Sequence, residues 1–280
     1  MHAHRPRRLI RVSRTGSPTC GLAIVTGSKN INLGAAVPRG NGKTVLQFSI
    51  EMFLSAEAET RGNIRSILSI YDGVLPENLL AAQWKSDFLI RIPAIDSRGR
   101  RRYREISAYN ALPAGRRRFL AITSGPGGTS VYVEGGLASN YPLVMLNPDS
   151  LHGSLIVGNS PNDGMSFTGR FFGLALYNRL LNPQEISRHG RLWNTDCAAE
   201  LAPEPGLAGL YLFNPTQGNT VADLSPFARP LAIPEYYRSI HKRLLSPPWE
   251  NWFVSLSHVE SIAINILGFV PFGFFYFLFR

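Results

Sequence analysis

Cysteine is almost missing from this chain. Cys20 and Cys197 are the only two in 280 residues, and neither stands at metal-ligand spacing from a partner, which excludes a zinc site. They lie near opposite ends of the region read below as a sandwich, so two independent thiols or one bridge between first and last strands both fit. The N-terminus, Met1-His-Ala-His-Arg-Pro-Arg-Arg-Leu-Ile-Arg11, has the basic start of an export leader but not its core. Leu22-Ala-Ile-Val25, boxed by Gly21 and Gly27, is too short for the apolar stretch that should follow, so no cleaved signal is expected.

Catalytic patterns are equally scarce. Asn41-Gly-Lys-Thr44 ends like a phosphate-binding loop, but Val37 occupies the place of the first glycine and a strand pattern follows. The Glu-x-Asp-x-x-Glu arrangement of β-glucanases is missing. The nearest acidic group is Glu51, Glu57 and Glu59, the last two in a strand-ending segment where solvated carboxylates are the rule. Six scattered histidines offer no pairing of base and nucleophile. The reading is therefore non-enzymatic, with a glycan-acting hydrolase as the alternative.

Acidic residues are outnumbered: 29 Lys and Arg against 19 Asp and Glu give a formal charge of +10. That balance suits an anionic partner such as phospholipid, nucleic acid or acidic polysaccharide. No helix or aromatic-platform motif for nucleic acid accompanies it, so nucleic acid is not expected. Two interior runs, Arg98-Gly-Arg-Arg-Arg-Tyr-Arg104 and Arg116-Arg-Arg118, each flank a strand pattern. Arg100, Arg101, Arg102, Arg104, Arg116, Arg117 and Arg118 are thus the candidates for one basic ligand patch, with solvated loops as the plainer reading.

What the chain does have is strand punctuation, with 26 Gly and 20 Pro. Val45–Leu54 alternates, with Phe48, Ile50, Met52 and Leu54 on one face and Gln47, Ser49 and Glu51 on the other. Further strands are predicted at 66–71, 88–92, 103–108, 119–123, 131–134, 154–157, 171–177 and 209–213, with a turn at Gly125-Pro-Gly-Gly128. Asn182-Pro-Gln-Glu-Ile-Ser-Arg-His predicts one short helix: Asn182 caps it, Pro183 opens it, Glu185 closes the capping box, Ile186 faces the sandwich and Gly190 ends it. The fold class is all-β, an antiparallel two-sheet jelly-roll sandwich. The expected organisation is a basic disordered segment at 1–17, the sandwich at 18–235, an aromatic juxtamembrane connector at 236–260 and a transmembrane helix at 261–279. That last stretch runs without a formal charge, long enough to cover a bilayer core of about 30 Å.

Two resemblances extend this. Val131-Tyr-Val-Glu-Gly135, Ser154-Leu-Ile-Val-Gly158 and Gly169-Arg-Phe-Phe-Gly-Leu-Ala-Leu-Tyr-Asn-Arg-Leu-Leu-Asn-Pro-Gln-Glu-Ile186 resemble the laminin G-like, concanavalin A-like jelly roll. Leu210-Tyr-Leu-Phe-Asn214 and Gly218-Asn-Thr-Val-Ala-Asp-Leu-Ser225 continue the resemblance, with Glu134 in place of the usual Asp. It implies a carbohydrate or anionic-polymer partner, and calcium as a cofactor with Asp72 and Asp163 as candidate ligands. Asx-type turns are the other use of those two aspartates. Asn265, Phe269, Pro271 and Gly273 match the spaced positions of VanZ-like membrane proteins. That match implies a truncated start of a membrane module, with further membrane helices as partners in a longer protein. Together these make the chain a membrane-tethered recognition domain, single-pass, with the sandwich outside the cytoplasm.

Overall fold

The computed structural model describes residues 7–11, 24–25, 35–38 and 44–240, apart from 61, 73–76, 96, 98–100, 147–150, 152, 162–164, 214–218 and 234–235. The strands are β1 (Arg7–Arg11), β2 (Ile24–Val25), β3 (Ala35–Pro38), β4 (Thr44–Ala56), β5 (Arg65–Tyr71), β6 (Leu79–Trp84), β7 (Asp87–Ile95), β8 (Arg101–Ala108), β9 (Arg117–Gly125), β10 (Gly128–Val133), β11 (Gly136–Tyr141), β12 (Ser154–Val157) and β13 (Gly169–Tyr177). Helix α1 (Pro183–Asn194), a 3-10 turn (Ala198–Leu201), β14 (Leu207–Leu212), β15 (Thr220–Val221), β16 (Leu231–Ala232) and β17 (Tyr236–Ile240) follow. Residues 1–94 and 102–241 form one compact unit, described below. The second unit, 95–101 and 242–280, holds few described residues.

One sheet runs β11-β10-β9-β4-β13-β14 with β3 also paired to β4; the other runs β15-β16-β2-β12-β5-β6-β7-β8. The predicted alternation of β4 explains the packing. Phe48, Ile50, Met52 and Leu54 join Ile70, Leu79, Ala81, Phe88, Ile90, Leu155 and Val157 in the core between the sheets. The β8 and β11 edges meet where Tyr141 Oη accepts from Ser107 N at 3.1 Å and donates to Ser107 O at 3.0 Å.

The other face of β4 is not solvated. Helix α1 lies on it and buries Ile186, His189, Gly190 and Trp193, a one-sided helical stripe. Both halves of the predicted capping box form: Glu185 N donates to Asn182 Oδ1 at 2.9 Å, and Asn182 N donates to Glu185 Oε2 at 2.8 Å. The helix does not stop at Gly190. A Cβ there would sit 3.0 Å from Phe119 Cδ1, so Gly190 serves the close approach of helix to sheet and α1 continues to Asn194.

The expected transmembrane helix is corrected. No helix among the described residues is long and apolar enough to cross a membrane. The 12 residues of α1 cover only about 18 Å, and its outer side is charged. Residues 261–279, the 241–260 part of the connector expected at 236–260, and the VanZ-like positions lie outside the described residues. Among the described residues the fold class is the two-sheet sandwich, and the single-pass membrane location is withdrawn with the helix. Within the expected basic N-terminal segment, Arg7–Arg11 pairs antiparallel with Tyr236–Ile240.

Gly173 on β13 faces α1, and a Cβ there would fall 2.0 Å from Trp193 Cζ3. Gly173→Ala must displace the indole and is expected to cost at least about 3 kcal/mol, combining overpacking with a lost bond to a charged group. Urea denaturation measures this; a loss below about 1 kcal/mol would show that Trp193 is not held in place.

Candidate functional site

Two polar clusters stand out, one under α1 and one on the opposite side of the sandwich. Under α1, the Glu51 carboxylate is fully buried on β4. Trp193 Nε1 donates to Oε2 at 3.0 Å, and Tyr177 Oη donates to the same oxygen at 3.4 Å. His189 Nδ1 lies 2.7 Å from Oε1. Arg188 reaches His189 Nε2 at 3.0 Å as a donor, which puts the imidazole proton on Nδ1, facing Glu51. Burial, and then the Glu51 charge, drives the Tyr177 phenol far above its ordinary value of 10, so it remains a neutral donor. The side chains of Glu51, Tyr177, His189 and Trp193 are all buried, and their polar atoms are engaged within the protein. The cluster docks the helix; it has no room for a substrate. Glu57 and Glu59, the other acids of the sequence group, are exposed.

The family-like stretch Tyr177-Asn-Arg179 belongs to this docking. Arg179 bonds Pro205 O at 2.6 Å and Glu185 Oε2 at 3.0 Å. Asp223 has a similar role: Oδ1 accepts from Leu210 N and Ser225 N, each at 2.9 Å, tying β14 to the following loop. These residues pack the sandwich.

The outer face of the eight-stranded sheet differs. Ile156, Ser69, Leu80 and Arg91 form one row across β12, β5, β6 and β7. At its β5 end the row is roofed. Ser66 and Ser69 donate to Asn159 O at 2.7 and 3.1 Å, Ser160 N and Ser166 Oγ donate to Asn159 Oδ1, and Ser160 Oγ donates to the buried Glu77. Asn159 Nδ2 is buried without a partner. At its β8 end the row is open. Tyr103 is 54% exposed, Arg91 stands over its ring at 5.8 Å, and Arg91 Nε donates to Glu105 Oε2 at 2.5 Å. Partial burial, then the Glu77 charge, raises the Tyr103 phenol against the opposing pull of Arg91, keeping it an uncharged hydroxyl. An exposed ring beside a fixed pair of hydrogen-bonding side chains can stack a flat apolar surface and orient hydroxyl groups. A depression of about 310 Å³ on the other side, along α1, is lined by Pro183, Gln184, Ser187 and Arg191 and has no aromatic wall.

The basic candidates divide between the two sheets. Arg102 and Arg104 are exposed on β8, with Arg104 Nη1 3.5 Å from Leu143 O. Arg117 lies 4.3 Å from the Phe172 ring centroid and 3.5 Å from Asp196, and Arg118 lies 3.9 Å from Glu134. Leu143 follows the end of β11 at Tyr141, whereas Glu134 precedes its start at Gly136. The two runs therefore sit at opposite ends of the β10–β11 hairpin. Arg116 is exposed, Arg101 lies in β8, and Arg100 is outside the described residues. Asp72 is exposed after β5 and Asp163 is outside the described residues. Among the described residues, no group of three or more His, Cys, Asp or Glu could hold a metal ion. Cys197 is an exposed free thiol, and Cys20 is outside the described residues.

Sequence reading passed over Arg91, Glu105 and Tyr103 as a group. Their signal was the strand pairing of β7 with β8, which no single segment displays. The Glu51 cluster makes an alkaline prediction. Above pH 10 the unfolded chain releases the Tyr177 proton while the folded chain keeps it, so stability falls as pH rises, by about 1.4 kcal/mol per pH unit for this group. Tyr211, also raised by burial and then by Asp223, adds a second slope of the same sign. Urea denaturation on either side of pH 10 should show a shallower decline in Tyr177→Phe than in the parent chain; equal slopes would refute the assignment.

The laminin G 3 family, described as the concanavalin A-like lectin/glucanases superfamily, matches residues 28–187. The match ends well before the VanZ-like stretch. No curated protein matches the chain. Among solved structures, a Bacteroides ovatus ATCC 8483 protein, provisionally described as carbohydrate binding, is 14% identical with a TM-score of 0.47. That alignment covers 81% of this chain and 62% of that one, so this chain spans less than two thirds of its length. The CBM40 domain of Ruminococcus gnavus IT-sialidase, bound to alpha2,3 sialyllactose, is 13% identical over 65% of this chain and 97% of that one, with a TM-score of 0.47. The SAP-like pentraxin of Limulus polyphemus is 14% identical over 66% and 82%, with a TM-score of 0.41.

Proposed function

The chain belongs to the concanavalin A-like lectin/glucanases superfamily, and on that premise we propose that it is a non-enzymatic carbohydrate-binding domain whose site is the open end of the eight-stranded sheet. The carrying observation is Tyr103, an exposed ring on the sheet face with the Arg91–Glu105 pair fixed beside it. A sugar ring offers an apolar C–H face for the phenol and hydroxyl groups for the guanidinium and carboxylate. Binding rather than hydrolysis fits the carboxylates. Glu51 is sealed under α1, Glu77 accepts from Ser160, and Glu105 is paired with Arg91. Calcium adds nothing that this reading requires.

Tyr103→Ala is expected to lower glycan affinity at least tenfold, equivalent to about 1.4 kcal/mol, with the melting temperature held because the ring is mostly solvated. A broad glycan array followed by calorimetry on the best ligand measures both. Undiminished binding by Tyr103→Ala would move the site elsewhere, and an array on which the parent chain binds nothing would end the reading.

A further inference from the structure

The opening around Tyr103 is walled on two sides. Leu80 and Ala82 on β6 and Leu89 on β7 face outward, because Leu79, Ala81, Phe88 and Ile90 face the core. They are nonetheless closed to solvent: Leu80 is 5% exposed and Leu89 2%, with Ile64 and Met165 packed on the cluster. Leu80 pairs with Arg91 across the strands, and Leu89 precedes Arg91 by two residues on the same face. One wall therefore stops the opening across the sheet, and the other stops it along β7. On the side away from Leu80, β8 is the last strand of its sheet, so the surface ends there. A straight glycan laid over Tyr103 meets a wall whether it runs across the strands or along them.

The polar groups inside those walls suit one sugar residue. Arg91 Nε donates to Glu105 Oε2 at 2.5 Å, which leaves the Nη groups of Arg91 and Oε1 of Glu105 without hydrogen-bond partners among the described residues. A donor and an acceptor thus stand side by side next to the Tyr103 ring, a pairing that two adjacent sugar hydroxyls satisfy. Tyr103 and Glu105 share one face of β8 about 7 Å apart, and Arg91 lies one strand away at about 4.8 Å. That footprint takes one pyranose ring and not two. Charge is balanced there as well. Arg91 is paired with Glu105, while Arg102 and Arg104 alternate with Ile106 and Ala108 onto the other face of β8. A ligand carboxylate would have to share Arg91 with Glu105. We propose that the site holds the single terminal residue of an uncharged glycan, with the rest of the ligand leaving over the β8 edge. The proposal rests on the carbohydrate reading above and adds which part of the ligand is held and its charge.

The test is calorimetry of the full chain with methyl β-glycosides of glucose, galactose and mannose, with the β-linked hexamer of each, and with hexagalacturonate. In any series that binds, glycoside and hexamer should have dissociation constants within about threefold of each other, because the hexamer offers one such end. Hexagalacturonate should bind more weakly than the best neutral hexamer. Met165→Ala should lower the walls and give the hexamer at least about fivefold tighter binding than the glycoside, by opening apolar surface to a second residue. Ile64→Ala is an independent variant with the same expected effect. A parent chain whose hexamer binds more than about threefold tighter than its glycoside would overturn the terminal-residue site. So would hexagalacturonate binding as tightly as the neutral hexamers, or wall variants that both keep the two lengths equal. If Tyr103→Ala still abolishes sugar binding in those cases, the carbohydrate reading stands without it. A parent chain that binds none of these sugars overturns this assignment, and the broad array then decides the reading beneath it.

Discussion

A carboxylate buried in the middle of a β-strand must be supplied with donors, because an unpaired buried charge costs several kcal/mol. Glu51 occupies that position on β4, and its donors come from Trp193 and His189 on α1 and Tyr177 on β13. The requirement fixes where the helix lies, its rotation and its distance from the sheet. Gly173 and Gly190 then become obligatory as the small residues that admit Trp193 and Phe119. The central strand is tied to the helix by electrostatics on one face and to the opposite sheet by the apolar core on the other.

Docking of α1 makes the two outer faces of the sandwich unequal. The seven-stranded sheet has its outer face closed by Phe53, Phe119, Tyr177, Ile186 and Trp193. The eight-stranded sheet is roofed near β5 and β12 by the network around Asn159, covered over Leu80, Ala82 and Leu89 by Ile64 and Met165, and open at Arg91 and Tyr103. Tyr103 and the Arg91–Glu105 pair stand on that open part. The family-like Tyr177, Arg179 and Asp223 serve packing, so the resemblance that identified the fold lies apart from the surface proposed to bind sugar.

β4, β7, β9 and β13 fall where the sequence put them, β4 by its alternation and the others as short apolar runs bounded by turn residues. β6 and β11 were not legible. In β6, the outward Leu80 and Ala82 pack under Ile64 and Met165, so five successive residues are buried and no alternation remains. The polar, exposed β11 is held as a strand by its pairing with β10. The capping box of α1 was written in Asn182 and Glu185, while its far end depended on Phe119, a residue distant in sequence. No helix among the described residues supports the membrane span expected at 261–279, and apolar run length is a local property that by itself does not specify a segment's surroundings.

The sequence by itself determined the all-β class, the main strands, the helix start and the superfamily, since each depends on neighbours a few residues apart. Tertiary structure alone decided that Glu51 is a buried anchor, that the two arginine runs stand at opposite ends of the β10–β11 hairpin, and that Arg91, Tyr103 and Glu105 stand together. Those outcomes depend on strand order and register, which join residues that no local pattern relates.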